Sequence, residues 1–545
     1  MQPVPSARPR AAVPPDVSAP GGAPSGAAAP DAGATCDVLV VGGGINGCGI
    51  ARDLAGRGWR VVLCERDDLA AHTSSASTKL IHGGLRYLEQ GAFSLVRKAL
   101  QERERLLRSA PHVMGPLRIV VPHDAAQRPL WQIRAGLFLY DHLARRELLP
   151  GSHAVDLRTH PAGAPLQPRF TRGFVYSDGW VDVARLVVLN AIDAAARGAT
   201  VRTRTVCVAA QRGADAWTAT LQDAHGRRHA VRARALVNAA GPWAEGFLRG
   251  IARPAPGESL ATRRLRLVKG SHIVVPRRFG HDIAYLFQNP DGRVLFALPF
   301  EGDFTLIGTT DVDLPAAEAG PARIDAAEVA YLCTQASRWL REPVTADDVV
   351  WSYAGVRPLL DDASAEPSAV TRDYLLETDG TAAPLLSVWG GKITTFRRLA
   401  EDAADRLGAL LGATRPPWTA RAFLPGGDLS AWIGPPRRPD EDFERFVDAL
   451  RRRHGWLPAP MARRLARAYG SRVDRVLGEA DTLEALGAEI APGLRAAELR
   501  YLRRDEWATC ADDVLWRRSK LGLHYGAAER QRVARWFDAD GGETG

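Results

Sequence analysis

Apolar and polar positions along this 545-residue chain fall into three textures, and each predicts a different architecture. In the first, short apolar runs alternate with helix-period segments. Residues 37–41 (DVLVV) predict a buried strand, a helix-period stretch follows to Gly58, and Val61-Val62-Leu63 predicts a second strand ending at Glu65. Residues 93–109 carry apolar side chains at helical spacing beneath an Arg/Glu outer face. A strand, a loop and an apolar helix are expected over 119–149. The helix, centred on 133–140, is read as core, although it is amphipathic enough for a subunit or membrane contact. A helix over 183–197 leads to a strand over 201–208, placed to be a third parallel strand. A β-meander (217–221, 229–234) and a further buried strand (235–239) complete this stretch.

The second texture, 265–310, has short alternating strands at 272–276, 284–288, 294–299 and 305–308, with Asn289-Pro290-Asp291-Gly292 as a turn. It predicts an antiparallel sheet interrupting the α/β pattern, with His272, Thr310 and Asp311 near one end. Residues 349–374 return the chain with Arg357 and Arg372 near strand ends. A strand, a Gly-Gly turn and a helix to about Leu411 then follow from Leu385. Past Pro416-Pro417 lies the third texture, Arg-rich helical segments at 440–454, 460–477, 482–488, 497–508 and 511–521, where nothing looks catalytic. The proline-rich stretch around 416–438 marks the boundary.

The glycines sharpen the first texture into chemistry. Gly42-Gly43-Gly44-Ile45-Asn46-Gly47 fits G-x-G-x-x-G between a strand and a helix. Gly42 permits the tight turn, Gly44 lets backbone approach a pyrophosphate, and Gly47 lets helix pack on strand. The helix N-terminus offers N–H groups and a positive dipole end to that pyrophosphate. Glu65 closes the second strand where a carboxylate can accept from a ribose diol, about 20 residues on. Strand, glycines, helix, strand and acid in register make a dinucleotide site far more specific than the glycines alone.

Three later stretches add polar groups. In 73–91 (TSSASTKLIHGGLRYLEQG), hydroxyls and Lys79 suit phosphate contacts, and a glycine turn feeds Arg86 and Tyr87 into a helix. The alternative is an ordinary capped loop. Ala240-Gly241-Pro242-Trp243 turns sharply with small residues that admit a flat ligand, or is a plain strand-to-helix turn. Gly390-Gly391-Lys392-Ile393-Thr394-Thr395 opens a helix with a lysine and two threonine hydroxyls beside it.

Composition narrows the class. A hydrophobic fraction of 46% and a charged fraction of 24% are ordinary for a soluble globular protein. Six scattered cysteines without a C-x-x-C pair argue against a disulfide framework or a zinc site, and no metal is expected. They also favour a reducing, cytoplasmic setting. No run of 18 apolar residues exists, so no membrane-spanning helix is expected. Residues 1–35, rich in Pro, Ala and Gly, lack a signal peptide's apolar core and read as a disordered tail. The net charge of +9 suggests an anionic partner, although most of it is expected to be solvated arginine.

Taken in order, VVGGGINGCGIARDLAGRG, TSSASTKLIHGGLRYLE, YDHL, VNAAGPW, LVKGSHIVVP, IGTTDVD, YAGVRPLLDD, TRDY, VWGGKITTFRRLAE and ADDVLWRRSKLGL resemble the FAD-dependent, quinone-linked glycerol-3-phosphate dehydrogenases. The resemblance runs from about Asp37 to Trp536. It implies an α/β fold of the D-amino-acid-oxidase-like class. A split Rossmann-like FAD domain and an antiparallel β-rich substrate cap at about 255–350 lie within 36–415, and a helical domain spans 416–545. It further implies oxidation of sn-glycerol 3-phosphate to dihydroxyacetone phosphate, with electrons passed through FAD to a membrane quinone. A homodimer held peripherally on the inner face of the cell membrane is expected.

Site residues follow from the same resemblance. His272 is the expected base, and Lys392 stabilises the alkoxide or shares that role. Arg357 and Arg372 meet the phosphate, Arg86 and Tyr87 close on the substrate, and Thr310 hydrogen-bonds substrate or flavin. For FAD, Gly42, Gly44, Asn46 and Gly47 take the pyrophosphate region and Glu65 the ribose. Ser77, Lys79, Leu80, Val206, Ala239 and Gly241 lie near the cofactor. Gly391, Lys392 and Thr394 sit where a helix N-terminus faces the flavin pyrimidine edge. One competing reading is an oxidase passing electrons to O₂. Another, a flavin-containing nucleic-acid-binding protein suggested by Arg451-Arg452-Arg453, lacks any recognisable nucleic-acid motif, so no nucleic-acid partner is expected.

Overall fold

The computed structural model describes residues 34–89, 91–124, 128–315, 322–361 and 373–540. Of the expected tail, only Ala34 and Thr35 fall among them, and they begin the first strand rather than precede it.

Strand β1 (Ala34–Val41) sits within a nine-stranded sheet. It pairs in parallel with β2 (Val61–Cys64) on one side and with the strand Arg228–Asn238 on the other. Thr200–Arg202 extends the parallel set beyond β2, and Leu385–Trp389 extends it beyond Arg228–Asn238. Side chains of β1 alternate between two cores, as the two-residue period of a strand requires. Val38 and Val40 face the helices α1 (Ile45–Gly56), Val183–Ala196 and Phe396–Leu410, whereas Leu39 faces Trp217, Leu236 and Trp389. Val38, Leu39 and Val40 are all fully buried, and each contributes roughly 1.5–3 kcal/mol by leaving water. That is why a run without alternation reads as a parallel strand.

Two expectations shift here. The run 201–208 is not one strand. Thr200–Arg202 pairs with β2, Arg204 takes a left-handed φ of 48°, and Thr205–Arg212 begins an antiparallel meander. Conversely, 229–234 and 235–239 form one continuous strand, Arg228–Asn238. Its first half pairs with Trp217–Asp223 and its end with Leu385–Trp389.

The second sheet has ten strands, and it corrects the expected cap boundary of 255–350. The antiparallel strands Ala284–Gln288, Val294–Phe300 and Phe304–Gly308 form within a residue of the expected bounds, whereas the first, expected at 272–276, begins at Leu265 and runs to Pro276. Ala284–Gln288, however, pairs in parallel with Met114–Pro122, which pairs in turn with Arg172–Val181. His153–Asp156 and Leu80–Ile81 add to that strand, and Trp351–Leu360 adds to Leu265–Pro276. The cap is therefore assembled from both halves of the chain. Each of these pairings is long-range, so no local pattern announces it.

The C-terminal helices Pro439–Arg453, Ala459–Tyr469, Ala496–Glu506 and Ala527–Asp540 enclose a separate core around Phe446, Leu465, Leu499 and Val533. The expected helix 460–477 breaks at Gly470, which has a positive φ of 54°. The segment 482–488 gives only the single turn Glu484–Leu486. The segment 511–521 contains one widened, π-type turn, Asp513–Arg518. All six cysteines are free.

Candidate functional site

The glycine turn after β1 is built as its chemistry demands. Gly42 has φ of 114°, and a Cβ there would lie 2.4 Å from the Ala239 carbonyl oxygen. Gly47 packs closer still, since its Cβ would lie 1.9 Å from the Gly42 oxygen. Gly44 begins α1 with no side-chain cap, leaving the positive helix end toward the cavity. The Ile45 N–H donates to Ser74 Oγ (3.0 Å). Asn46 donates to the Gly390 carbonyl (3.2 Å), and its buried Oδ1 has no hydrogen-bond partner among the described residues.

Glu65 closes the second strand with both oxygens engaged. Gly43 N–H donates to Oε2 (2.6 Å) and Asp67 N–H to Oε1 (2.8 Å). Burial raises its pKa, while those two donors favour the charged form. Glu65, Asp67 and His72 each place one ligand atom within 4.8 Å of the others. Both Glu65 oxygens accept backbone N–H groups, so the carboxylate also shapes this loop.

Three connected spaces run from this turn. The first, about 270 Å³, is lined by Gly42, Gly44, Glu65, Val206, Ala239 and Gly241, with Trp243 on its wall. The Arg66 guanidinium lies 3.8 Å from the centre of the Trp243 ring. The second, about 260 Å³, shares Gly44, Ser74, Ala239 and Gly241 with it and adds Asn46, Ser77, Leu80, Gly391, Lys392 and Thr394. The third, about 730 Å³, opens from the second through Thr78, His82, Tyr87 and Arg357. An elongated ligand thus has one continuous bed from the ribose acid to the Gly390-Gly391 turn. Lys79 corrects the expectation: its backbone takes a positive φ of 61°, its ammonium turns to the Ser75 carbonyl and the Tyr353 ring, and it lines none of these spaces. Burial, with the nearby Lys520 cation, pushes its pKa down to about 7.

On the substrate side, the cap sheet brings His272 and Arg357 together across adjacent strands. His272 is 1% exposed, lies 3.0 Å from Thr78 Oγ1 through Nε2 and stacks on Tyr353 at 4.9 Å. Its Nδ1 has no hydrogen-bond partner among the described residues. Burial first, then the Arg357 and Lys79 cations, hold its pKa well below the usual imidazole value. Arg357 is oriented by Asp311 Oδ1 (2.5 Å) and Thr309 Oγ1 (2.9 Å). Lys392 lies 3.5 Å over the Tyr87 ring, and Arg86 lines the same cleft.

Thr310 does not fulfil its expected role. Its hydroxyl donates to buried Glu328 (2.8 Å) and accepts from Ser271 N–H (2.9 Å), so it braces the sheet from behind while Thr309 faces the cleft. Arg372 lies outside the described residues. Thr78, His82, Thr309 and Asp311 line the cleft without having been singled out as site residues. Thr78 adjoins Ser77, and Thr309 and Asp311 flank Thr310, but all four residues lie outside the strands, where no periodicity tells which neighbour faces in.

Residues 37–397 match the family model described as FAD dependent oxidoreductase. The chain belongs to the FAD-dependent glycerol-3-phosphate dehydrogenase family. It is 48% identical over 513 residues to the glycerol-3-phosphate dehydrogenase of Pseudomonas aeruginosa, covering 92% of this chain and 95% of the relative. It is also 48% identical over 506 residues to the D-erythritol 1-phosphate dehydrogenase of Brucella abortus, covering 92% and 98%. Residues 418–540 match the C-terminal domain of alpha-glycerophosphate oxidase. A glycerol-3-phosphate dehydrogenase from Bacillus halodurans, solved with FAD, superposes with a TM-score of 0.71 at 28% identity, covering 93% of this chain and 90% of that one. The protein is an FAD-dependent oxidoreductase, and its residues fit the cofactor: the N-terminal end of α1, glycines no Cβ could replace, the Glu65 carboxylate and an Asn46 oxygen without a partner among the described residues lie along one bed.

Proposed function

We propose that this enzyme oxidises sn-glycerol 3-phosphate to dihydroxyacetone phosphate. The observation that carries the reading is the convergence of Arg357, Arg86 and Lys392 with a neutral His272 along the walls of connected cavities that adjoin the cofactor bed. A phosphate carries close to two negative charges at neutral pH, and guanidinium groups meet it with paired hydrogen bonds. Oxidising the neighbouring secondary alcohol removes a proton from oxygen and a hydride from carbon, leaving a ketone. FAD, when bound, supplies the two-electron acceptor.

The chain's own residues do the rest. An imidazole kept neutral by its surroundings is in the form that accepts the hydroxyl proton. A phosphate paired with Arg357 offsets one of the two cations that add to the effect of burial on His272, so substrate binding shifts the ring toward greater basicity. Lys392 favours the developing alkoxide, and Asp311 and Thr309 keep the Arg357 fork in place.

A second polyol phosphate is favoured by a specific observation. A cleft of about 730 Å³ is in the range that holds much larger ligands, and the Brucella relative is named for a four-carbon substrate. Anaerobic titration of the flavin absorbance with sn-glycerol 3-phosphate, D-erythritol 1-phosphate and unphosphorylated glycerol decides the matter. Bleaching by the first at the lowest concentration supports the reading, preference for the second replaces it, and bleaching by glycerol removes the need for the phosphate site.

The acceptor we infer is a membrane quinone, reached from the inner face of the cell membrane. Support comes from the helix Leu130–His142, which is only half core: Ile133, Leu137 and Tyr140 are buried, but Trp131, Phe138 and Leu139 are 72%, 53% and 44% exposed. The start of this helix, at Pro129 and Gln132, borders the mouth of the large cleft. Exposed aromatic and aliphatic groups beside Arg134 and Arg145 suit an anionic lipid surface. Vesicle flotation of wild type against Trp131→Ser/Phe138→Ser, and reoxidation by a short-chain quinone against O₂, test this reading; the expected homodimer is read in the same preparation by light scattering.

A further inference from the structure

The run ADDVLWRRSKLGL lines neither the cofactor bed nor the substrate cleft, and among the described residues none of the C-terminal domain does. Its centre is the widened turn Asp513–Arg518, closed by the five-residue bond from Ser519 N–H to Val514 O (2.9 Å). Turns of this type put one extra residue into a helical circuit and re-aim its side chains. Here Arg517 and Arg518 meet the loop after β2 in the FAD domain, Asp513 meets Arg204 beside that loop, and Trp516 meets Trp351 of the cap sheet.

One route leads to the ribose acid. Arg518 and Arg517 both donate to Asp68, Arg518 through a pair of bonds of which the one to Oδ1 is 2.8 Å. Both partners of that pair are fully buried. Asp513 accepts from Arg204 at both oxygens (2.8 and 2.9 Å), beside further bonds from Arg517 and the Thr509 N–H, and the Arg204 N–H donates to the Asp67 carbonyl (2.8 Å). Asp67 N–H in turn donates to Glu65. The loop that follows Glu65 is therefore held by charges from the C-terminal domain, which lines none of the three spaces described above.

The other route leads to the base. Trp516 stacks on Trp351 (4.7 Å, 17° between planes), Trp351 leans on Tyr353 (4.9 Å), and Tyr353 stacks on His272 (4.9 Å, 17°). Tyr353 is pinned through its hydroxyl to the Ser77 carbonyl (2.8 Å), in the loop that walls the second cavity. Gly522 leaves room for the far side of Trp516, where a Cβ would lie 2.6 Å from the ring. Packed rings of this kind transmit displacement because interiors are close to crystalline in density.

We propose that the Asp513–Arg518 turn is a positioning element for the reaction, with Arg518 setting Glu65 through Asp68 and Trp516 setting His272 through Trp351 and Tyr353. Its residues are positioning residues, since none touches cofactor or substrate. The Arg518 arm rests on FAD binding alone, and the Trp516 arm also rests on the substrate reading above.

The test uses the full-length protein with three substitutions: Arg518→Met, Trp516→Leu and Trp516→Phe. FAD affinity is measured by reconstitution of the apoprotein, followed through flavin fluorescence, and base function is measured by stopped-flow flavin reduction at saturating substrate. Arg518→Met is expected to weaken FAD by about tenfold or more while leaving the reduction rate of the fully reconstituted enzyme near wild type. Trp516→Leu is expected to do the reverse, slowing reduction by about tenfold to a hundredfold with FAD affinity unchanged, and Trp516→Phe to restore most of the rate. If both single variants lose affinity and rate together in proportion to a fall in melting temperature, the turn is only a domain brace and the proposal is overturned. It is equally overturned if both match wild type. Failure of wild type itself to be reduced condemns the substrate reading and leaves the affinity arm standing.

Discussion

Gly47 packs so closely beneath Gly42 that a Cβ on the first would lie 1.9 Å from the carbonyl oxygen of the second. The contact is backbone against backbone, so no side chain can move aside to relieve it. Gly47→Ala must separate α1 from β1 or tilt the turn, at a cost of about 1–3 kcal/mol for an overpacked site. We expect a protein that is purified without flavin, with a lowered melting temperature that added FAD does not restore. A yellow Gly47→Ala protein of wild-type stability would contradict this packing argument.

The Arg357 fork is fixed by Asp311 and Thr309, which makes its planar geometry the useful property. Arg357→Lys keeps the charge and loses the fork. KM for the phosphorylated substrate is expected to rise by about 10- to 100-fold, the worth of one or two charge-assisted hydrogen bonds, with a smaller change in kcat. Steady-state kinetics with a soluble electron acceptor measure both.

His272→Asn removes the proton acceptor while keeping a side chain beside Thr78. Flavin reduction at saturating substrate is expected to slow by about 10²–10⁴-fold, the usual contribution of a positioned base. In the free protein the ring stays neutral, because its pKa lies well below the usual imidazole value. Its labelled imidazole signal is therefore expected not to titrate between about pH 6 and 8. Addition of dihydroxyacetone phosphate, by offsetting Arg357, is expected to move the titration upward. A free-enzyme midpoint near 6.5 would remove the electrostatic argument.

Stability should fall on acidification because of a histidine far from the cleft. His112 is fully buried, neither ring nitrogen has a partner among the described residues, and burial with the Arg185 and Arg472 cations pushes its pKa down to about 3. The unfolded chain binds a proton at this position near pH 6.5 and the folded chain does not. Between about pH 6.5 and 3 the unfolded state thus binds more protons, and unfolding free energy drops as pH falls, by up to about 1.4 kcal/mol per pH unit for this group. Denaturant titrations of wild type and His112→Phe are expected to diverge in slope over that window, with the variant flatter.

Sequence by itself determined the parts whose physics is local. The strand–glycine–helix–strand–acid unit forms with β1, α1 and β2 as the periodicity requires, because a buried apolar run, a glycine turn and a helix cap each depend on neighbours a few residues away. The cap strands from 272 to 308 followed from alternation and turn chemistry for the same reason.

Tertiary structure decided what depends on partners distant in the chain. The cap sheet recruits Met114–Pro122 and Arg172–Val181, a pairing with no signature in either segment. Between the strands Phe304–Gly308 and Val312–Leu314, Thr310 is tied back to Glu328 and Ser271 while Thr309 meets Arg357 at the cleft, a choice made by partners far along the chain. Lys79 lies in a matching motif, yet its positive φ sends the ammonium away from the cofactor bed. The link from Trp516 to His272 crosses three segments separated by long stretches of chain, and only their packing brings the rings together. Residue types and their spacing fix which chemistry is available; which of those groups meet is fixed by long-range burial, where the energy belongs to pairs of segments rather than to either one.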